Sequence, residues 1–296
     1  LGAAAGIYWP SVELAVPSNC ENKIKSSEGY ALARSADAIG ITIGVLLGTI
    51  GTFIEFTRVI YFIDFVCMIY IFFILMNKLK IVRKDIQIKE EILIKNIFKK
   101  SLQMNSIKWI IDLIPLLSIT LFVTGVMTLL QSILPLDLVN GGIARPPLIE
   151  QKVATLVTIK LILLAIFQWP VGYILRNKKS SYKFRICLIS LLIGFVLLLL
   201  SSFLLNGYLL ILIAFFPLTI ALCIFLPSAS DAIIKSCPKK YRGSAIALYS
   251  QCFGISALSI PWMAGKLIDK YDTAFQLWLI VSFFCIFLIP ICKRIK

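Results

Sequence analysis

Residues 28–55 read EGYALARSADAIGITIGVLLGTIGTFIE, and residues 242–269 read RGSAIALYSQCFGISALSIPWMAGKLID. Aligned without a gap, at an offset of 214, the two stretches share seven residues, and each ends in an acid. The shared residues are mostly small: Gly29/Gly243, Ala31/Ala245, Ala33/Ala247, Gly40/Gly254, Ile41/Ile255, Gly51/Gly265 and Ile54/Ile268. Small residues at matching places are typical of helices that pack closely in a membrane. We interpret the echo as a duplicated membrane domain, an organisation common among transporters.

The composition favours a protein that faces lipid. The chain is 59% hydrophobic, above the share usual in soluble domains. The net charge of +15 does not indicate nucleic-acid binding, because the Lys and Arg residues lie in short segments between apolar runs. There is no histidine, and none of the eight cysteines forms a CxxC pair. We therefore expect no metal site, no cofactor, no nucleic-acid partner and no enzyme activity.

Apolar runs divide most of the chain. Eight reach the length of a spanning helix: 34–54, 58–76, 108–131, 153–175, 184–205, 207–227, 243–265 and 274–292. Residues 1–17 carry no basic n-region and no cleavage pattern, so we interpret them as the end of a further helix and not as a signal peptide. The sequence thus predicts an all-α integral membrane protein with about eight full transmembrane helices and part of a ninth.

The distribution of positive charge predicts the orientation. With segment 77–106 inside, 23 of the 30 Lys and Arg residues lie on the inner side and five on the outer side. Cytoplasmic loops carry such an excess. We expect a multi-pass protein of the plasma (inner) membrane, with the linker 77–106 and the C-terminus in the cytoplasm.

The spacing of the echo fixes the architecture. Five apolar runs separate the two copies, so the repeat unit has six helices, and both copies run in the same direction. A parallel pair of six-helix halves resembles the major facilitator superfamily. The stretch 241–245, YRGSA, is similar to the start of the eleventh helix of that family, with Arg242 and Gly243, and the stretch 265–269, GKLID, to its end, with Gly265 and Asp269.

The resemblance gives each segment a place. Residues 1–76 are expected to be the remainder of an N-terminal bundle (the end of helix four, then helices five and six). Residues 77–106 form a basic linker, and 107–296 a C-terminal bundle of helices seven to twelve. We expect helices one to three to precede Leu1 and the chain to be N-terminally truncated.

Two motifs depart from the family pattern. The loop after the eighth helix often reads G-x-x-x-D-R in this family. Here Gly172 is present, but Arg176 stands in place of the acid and Asn177 in place of the arginine. The fifth helix carries Gly40, Gly44 and Gly48 at intervals of four, which resembles the antiporter motif G-x-x-x-G-P-x-x-G-G. Val45 stands in place of its proline and Thr49 in place of its last glycine, so the resemblance favours an exporter only slightly.

Ionisable residues inside apolar runs are candidates for function, because a charge in lipid is costly. Lys160 is predicted to bind an anionic group of the substrate or to pair with a carboxylate. The alternative is an amine that reaches the outer surface. Arg34 and Asp37 are one turn apart, and we expect a local salt bridge more than a coupling site.

Polar and small residues complete the candidates. Thr120, Thr124, Thr128 and Gln131 share one face of a helix, which indicates a cavity lining, although threonines can also bond to their own helix. Gln168 and Gln251 are further cavity candidates. The glycines Gly40, Gly44, Gly48, Gly51 and Gly265 are expected to pack helices together.

The predicted function is secondary active transport of a small solute by alternating access, by a monomeric permease driven by a proton, an ion or a second solute. A non-transporting sensor or scaffold of the same fold is the alternative. A lipid enzyme is less favoured, because no nucleophile or paired carboxylate is evident in the apolar runs.

Overall fold

The structure, a computed structural model, describes residues 10–17, 20, 25–53, 61–74, 76 and 108–295. Those residues form nine α-helices and contain no strand. In chain order the helices are α1 (10–17), α2 (Ser26–Phe53), α3 (Tyr61–Ile74), α4 (Lys108–Asn140), α5 (Glu150–Leu175), α6 (Ser180–Ser201), α7 (Tyr208–Ser236), α8 (Arg242–Tyr271) and α9 (Phe275–Leu288). A 3-10 turn, Pro290–Arg294, follows α9.

Seven of the described helices are long and apolar enough to cross a membrane, and α3 is a shorter apolar helix. In a bilayer every backbone polar group needs a partner inside the protein, which an α-helix provides within itself. The predicted all-α membrane fold is therefore confirmed. The linker 77–106 lies outside the described residues, as do the beginning of the predicted run 58–76 and residues 1–9.

The chain packs as two units, residues 1–42 with 109–296, and residues 43–108. The described part of the second unit is the end of α2 together with α3, whose side chains are exposed. The first unit contains the buried core and all of the sites below. The division into 1–76, 77–106 and 107–296 stays a prediction.

The core of the first unit is centred on α7, whose residues are buried over most of their length. Helix α6 approaches α7 closely at Gly194, where a Cβ atom would overlap the side chain of Leu218. Large rings fill the space around this contact, and Phe195 stacks on Trp278 of α9 at 5.9 Å between centroids. A small residue at the closest point thus allows two apolar helices to pack side by side.

Helix α4 extends past the position predicted from the sequence. Residues 132–140 were expected to begin a loop, but α4 continues through Pro135 to Asn140. Its last turn is held by Asp137, which accepts hydrogen bonds from Arg145 at 3.1 Å and from Trp278 at 3.2 Å. Gly141, at φ +89°, then ends the helix with a left-handed turn.

Helix α7 is likewise longer than expected. The apolar run in the sequence ends at residue 227, but the helix runs through Pro217 and Pro227 to Ser236. A proline deprives the carbonyl four residues earlier of its helical donor. For Pro227 that carbonyl belongs to Cys223, and the Gln168 amide of α5 donates to it at 3.2 Å.

Candidate functional site

A buried acid lies opposite a buried arginine near the start of the first unit. Glu13 of α1 forms an ion pair with Arg34 of α2. Arg34 Nη1 also lies 3.5 Å from Asp37 Oδ2. The Tyr30 hydroxyl donates to the Glu13 backbone carbonyl at 2.6 Å. Glu13 is 3% exposed and Tyr30 is 1% exposed, so α1 and α2 are joined by polar groups removed from solvent.

Glu13 and its partners also lie next to helices α7 and α8. Tyr249 of α8 is almost fully buried, and Ser230 of α7 lies beside both Tyr249 and Glu13. Glu13 Oε2 and the Tyr249 hydroxyl make no hydrogen bond of good geometry to any described residue. Buried polar groups normally have partners, so an unpaired pair of such atoms indicates a place for a proton, water or ligand.

A cavity of about 190 Å³ opens next to these groups. It is lined by side chains of α1 and α2, among them Glu13, Tyr30, Ala33, Arg34 and Asp37. A carboxylate and a guanidinium on one wall can bind a charged or polar solute, or can exchange a proton when the ion pair opens. We call Glu13, Arg34, Tyr30 and Tyr249 the Glu13 cluster.

Sequence analysis did not identify Glu13. It treated Arg34 and Asp37 as a local pair, whereas the structure gives Arg34 a second carboxylate from another helix. The signal was present, because Glu13 is an acid inside the apolar stretch 7–16, IYWPSVELAV, and such a residue is a functional candidate by default. Its partner could not be identified, because the sequence does not show which residues of two helices face each other.

Four polar contacts join the start of α2 to the ends of α5 and α7. Lys25 Nζ donates to Asn177 at 2.5 Å, and Ser26 Oγ donates to Asp231 at 2.5 Å. Ser27 Oγ donates to the Arg176 carbonyl at 3.3 Å, and Arg176 Nη1 lies 3.1 Å from Glu28 Oε2. We call this set of contacts the α2 latch.

The Glu28–Arg176 pair reverses the polarity expected from the family motif. Arg176 stands where the motif has an acid, and its acidic partner is supplied by α2. In the repeat alignment Glu28 corresponds to Arg242, a residue of opposite charge. The attraction is therefore kept although the loop motif is altered.

Lys160 lies inside α5 and is 7% exposed. Its amine donates to the Leu130 carbonyl of α4 at 2.8 Å. Among the described residues no carboxylate forms an ion pair with it. A single carbonyl satisfies one of the three donors of an ammonium group, so Lys160 retains the capacity to bind an anion.

The comparison with protein families gives one match, and it is extensive. The family model described as Major Facilitator Superfamily matches residues 1–261 of the 296. The chain belongs to the major facilitator superfamily. It is accordingly a multi-pass membrane transporter, with a small-molecule substrate and a lipid bilayer as its surroundings. Neither the comparison with curated proteins nor that with solved structures gave a significant match.

The threonines predicted to line the cavity of this superfamily member have local partners. Thr120 Oγ1 donates to the Leu116 carbonyl at 2.8 Å, and Thr128 Oγ1 donates to the Thr124 carbonyl at 3.1 Å. The Thr124 hydroxyl lies 2.8 Å from the Ser256 hydroxyl of α8 and so connects α4 with α8. Thr120 and Thr128 therefore match the alternative to a cavity lining, in which a threonine donates a hydrogen bond within its own helix.

The three predicted glutamines lie in different surroundings. Gln131 and Gln251 are exposed, on α4 and α8 respectively. Gln168 is fully buried between α5 and α7, and its Oε1 has no partner among the described residues. The structure therefore does not gather these side chains into one site with the threonines.

The predicted packing and loop residues also differ in their surroundings. A Cβ atom on Gly172 would overlap Ala31 of α2, so Gly172 permits close contact between α2 and α5. A Cβ atom on Gly40 or Gly265 would meet no described atom within 4 Å. Gly44 and Gly48 lie farther along α2, and the surroundings of Gly51 are outside the description. Arg242 is half-buried with an unpartnered Nε among the described residues, and Gly243 and Asp269 are exposed.

Proposed function

We propose that the protein is a secondary active transporter that moves a small solute by alternating access. The observation that carries this proposal is the Glu13 cluster, where a buried ion pair with an unpaired carboxylate oxygen borders a cavity lined by α1 and α2. Buried ionisable groups are costly in a membrane and are retained where they bind a substrate or a coupling ion.

Alternating access requires contacts that can close one end of the protein and open again. The α2 latch has that character. It joins a segment of the first repeat to α5 and α7 of the second through four polar contacts. The Lys25–Asn177 contact is exposed and the Glu28–Arg176 pair is partly exposed. Such contacts exchange for water at little cost in free energy, so they can break and re-form during a transport cycle.

Glu13 is the group to which the coupling ion binds in this proposal. Neutralising its carboxylate removes the ion pair between Glu13 and Arg34, which weakens the attachment of α1 to α2. A proton or cation at Glu13 would thereby alter the position of α1 and α2 relative to Tyr249 of α8. Lys160, with an amine that has a single carbonyl acceptor, is the proposed partner of an anionic group on the substrate.

The remaining details of the proposal rest on sequence. The 23-to-5 distribution of Lys and Arg supports a plasma-membrane orientation with linker 77–106 and the C-terminus in the cytoplasm. The resemblance of the α2 glycines to the antiporter motif supports export. The two-bundle division and a monomeric state complete the proposal.

The test is whether the cavity beside Glu13 is reached from both sides of the membrane. Ala33 lines that cavity, and Ala33→Cys is introduced into the native protein after all eight cysteines are replaced. The protein is reconstituted in one orientation, and a membrane-impermeant maleimide is applied to either side. A transporter that alternates between two states exposes this cysteine to each side in turn, so labelling from both sides is expected.

A cysteine at Ala214 in the same background is the matched control, because Ala214 is fully buried in the α7 core and does not line the cavity. It should react from neither side. Labelling of Ala33→Cys from one side only, under every imposed ion gradient, would contradict alternating access and favour a sensor or scaffold of the same fold.

A further inference from the structure

A second, larger cavity lies at the other side of the α2 latch. Its volume is about 520 Å³, and it is bordered by α4, the α5–α6 connection, α6, α7 and the C-terminal turn. The positive-inside pattern places this end of the bundle in the cytoplasm. None of the residues that line it belongs to the Glu13 cluster, so this cavity and the cavity beside Glu13 are different sites.

The charges around this cavity are strongly unbalanced. Its lining contains six cations and two carboxylates: Arg176, Lys178, Lys179, Lys183, Lys235 and Arg294, with Asp112 and Asp231. Asp231 is already engaged, because Oδ1 accepts from Ser26 at 2.5 Å and Oδ2 pairs with Lys235 at 2.6 Å. The cavity wall therefore has an excess of positive charge that the described carboxylates do not neutralise.

Lys183 is the most unusual of these cations. It is 4% exposed, yet it forms no ion pair or hydrogen bond with a described residue. Its amine is not among the fully buried unpaired atoms, and its side chain lines the cavity. The amine is therefore open to the cavity and has no acceptor among the described residues, and an anion in the cavity would supply one.

The backbone adds donors at the same place. Helix α6 begins at Ser180, and Lys179 at its N-cap makes no side-chain cap bond. The first N–H groups of a helix lack intrahelical acceptors and favour anions, as does the helix dipole. Ser180 and Lys183, one turn apart on α6, both line the cavity. Donors from the helix start and from the lysine thus converge on one space.

We propose that this cavity is a binding site for a phosphate group, held by Lys183, the first turn of α6 and the surrounding Arg176 and Lys179. Phosphate matches the site because it accepts several hydrogen bonds and carries the negative charge that the wall lacks. Such a group is present both on an anionic lipid and on a soluble phosphorylated molecule. Basic pockets on the cytoplasmic side of membrane proteins bind anionic head groups in this way.

The experiment measures thermal stability of the native protein in phosphatidylcholine nanodiscs. In one arm inorganic phosphate replaces chloride at constant ionic strength. In the other, part of the lipid is replaced by phosphatidylglycerol. The wild-type melting temperature should rise in at least one arm, because a ligand that binds the folded state stabilises it. A rise in the first arm identifies a soluble anion as sufficient, and a rise in the second arm alone identifies the lipid.

Lys183→Met keeps the apolar stem and removes the charge. Its apparent affinity for phosphate or phosphatidylglycerol should fall about tenfold, the loss expected for one charge-assisted hydrogen bond. Its melting temperature without ligand should equal or exceed that of the wild type, because no unpaired charge remains buried. Lys240→Met, an exposed lysine near the same end that does not line the cavity, should behave as the wild type.

Two results would overturn the proposal. One is a wild-type protein whose melting temperature is unchanged in both arms. The other is a Lys183→Met variant with the same ligand-dependent rise as Lys240→Met. Either result leaves the transport proposal untouched, because that proposal rests on Glu13 and is tested by labelling at Ala33.

Discussion

Two arginine–carboxylate pairs are buried in the first unit, and they differ in what they connect. Arg34–Glu13 has side chains 11% and 4% exposed, and Arg145–Asp137 has side chains 1% and 2% exposed. By burial alone they are nearly equivalent. Arg145 and Asp137 connect α4 to the loop that follows it. Arg34 and Glu13 connect α1 to α2 and border a cavity lined by those two helices, and Tyr249 of α8 lies nearby.

The surroundings of the two pairs suggest different roles. Arg145 is held by Ser201 of α6 at 2.9 Å and by the Asp137 carbonyl at 3.0 Å, and Trp278 of α9 donates to the same carboxylate. Those helices all belong to the predicted C-terminal bundle. The Glu13 cluster instead joins α1 to α2 and includes Tyr249 of α8. The role of a buried ion pair therefore depends on the segments that it connects, and its burial alone does not indicate that role.

The largest expected effect is on stability, at Arg145. Arg145→Ala leaves Asp137 buried without its cation, and removal of one partner of a buried pair costs about 3–5 kcal/mol. The free energy of unfolding in nanodiscs should fall by that amount. The control is Ser132→Ala, because Ser132 is exposed on α4, the helix that carries Asp137, and its hydroxyl donates within that helix. This variant should change the free energy of unfolding little. Equal stability of the two variants would contradict a structural role for the Arg145 pair.

The next largest effect is expected at Glu13, on how the conformation of the protein responds to a proton gradient. Glu13→Gln keeps the shape of the side chain and fixes it in a neutral state. In the wild type, an imposed proton gradient should change the ratio of labelling of Ala33→Cys from the two sides by about tenfold, equivalent to about 1.4 kcal/mol. In Glu13→Gln the ratio should no longer respond. Because Arg34 keeps Asp37, the loss of stability should be smaller than for Arg145→Ala.

Asp37→Asn is the control for that measurement, because Asp37 lines the same cavity but is half-exposed. It should keep most of the gradient response. A Glu13→Gln variant that responds as strongly as Asp37→Asn would remove Glu13 from the coupling step and make its pair as structural as that of Arg145.

Much of the fold could be predicted from the sequence, because helix length and apolarity are local properties. The apolar runs could be read along the chain, and the superfamily was predicted from residues 28–55 and 242–269 and the spacing between them. The duplication stays an interpretation of that echo. The ends of α4 and α7 could not be predicted, because tertiary contacts determine them. Asp137 stabilises the last turn of α4 through Arg145, and Asp231 accepts a hydrogen bond from Ser26 beyond Pro227.

The candidate site was less predictable. Lys160 and Arg34 are ionisable residues in apolar runs and could be identified by type alone, but their partners lie 30 and 21 residues away. Glu13 satisfied the same criterion and was overlooked. The charge imbalance around Lys183 could not be predicted at all, because its members come from five separate segments. Periodicity shows which face of a helix a residue occupies and does not show what lies opposite.

The smallest expected effect concerns the α2 latch, which joins the start of α2 to α7 and to the residues after α5. Glu28 and Arg176 are 19% and 31% exposed, so the pair contributes at most about 1 kcal/mol. Glu28→Arg or Arg176→Glu alone places like charges together. Each should raise labelling of Ala33→Cys from the side on which α2 begins by up to about fivefold. The double exchange restores an attractive pair, in the polarity of the family motif, and should restore the wild-type ratio.

Asp269→Arg is the control, because Asp269 is exposed at the far end of α8, and it should leave the ratio unchanged. A double variant as altered as the singles would show that these residues act separately, and the latch would then be a surface feature and not a gate.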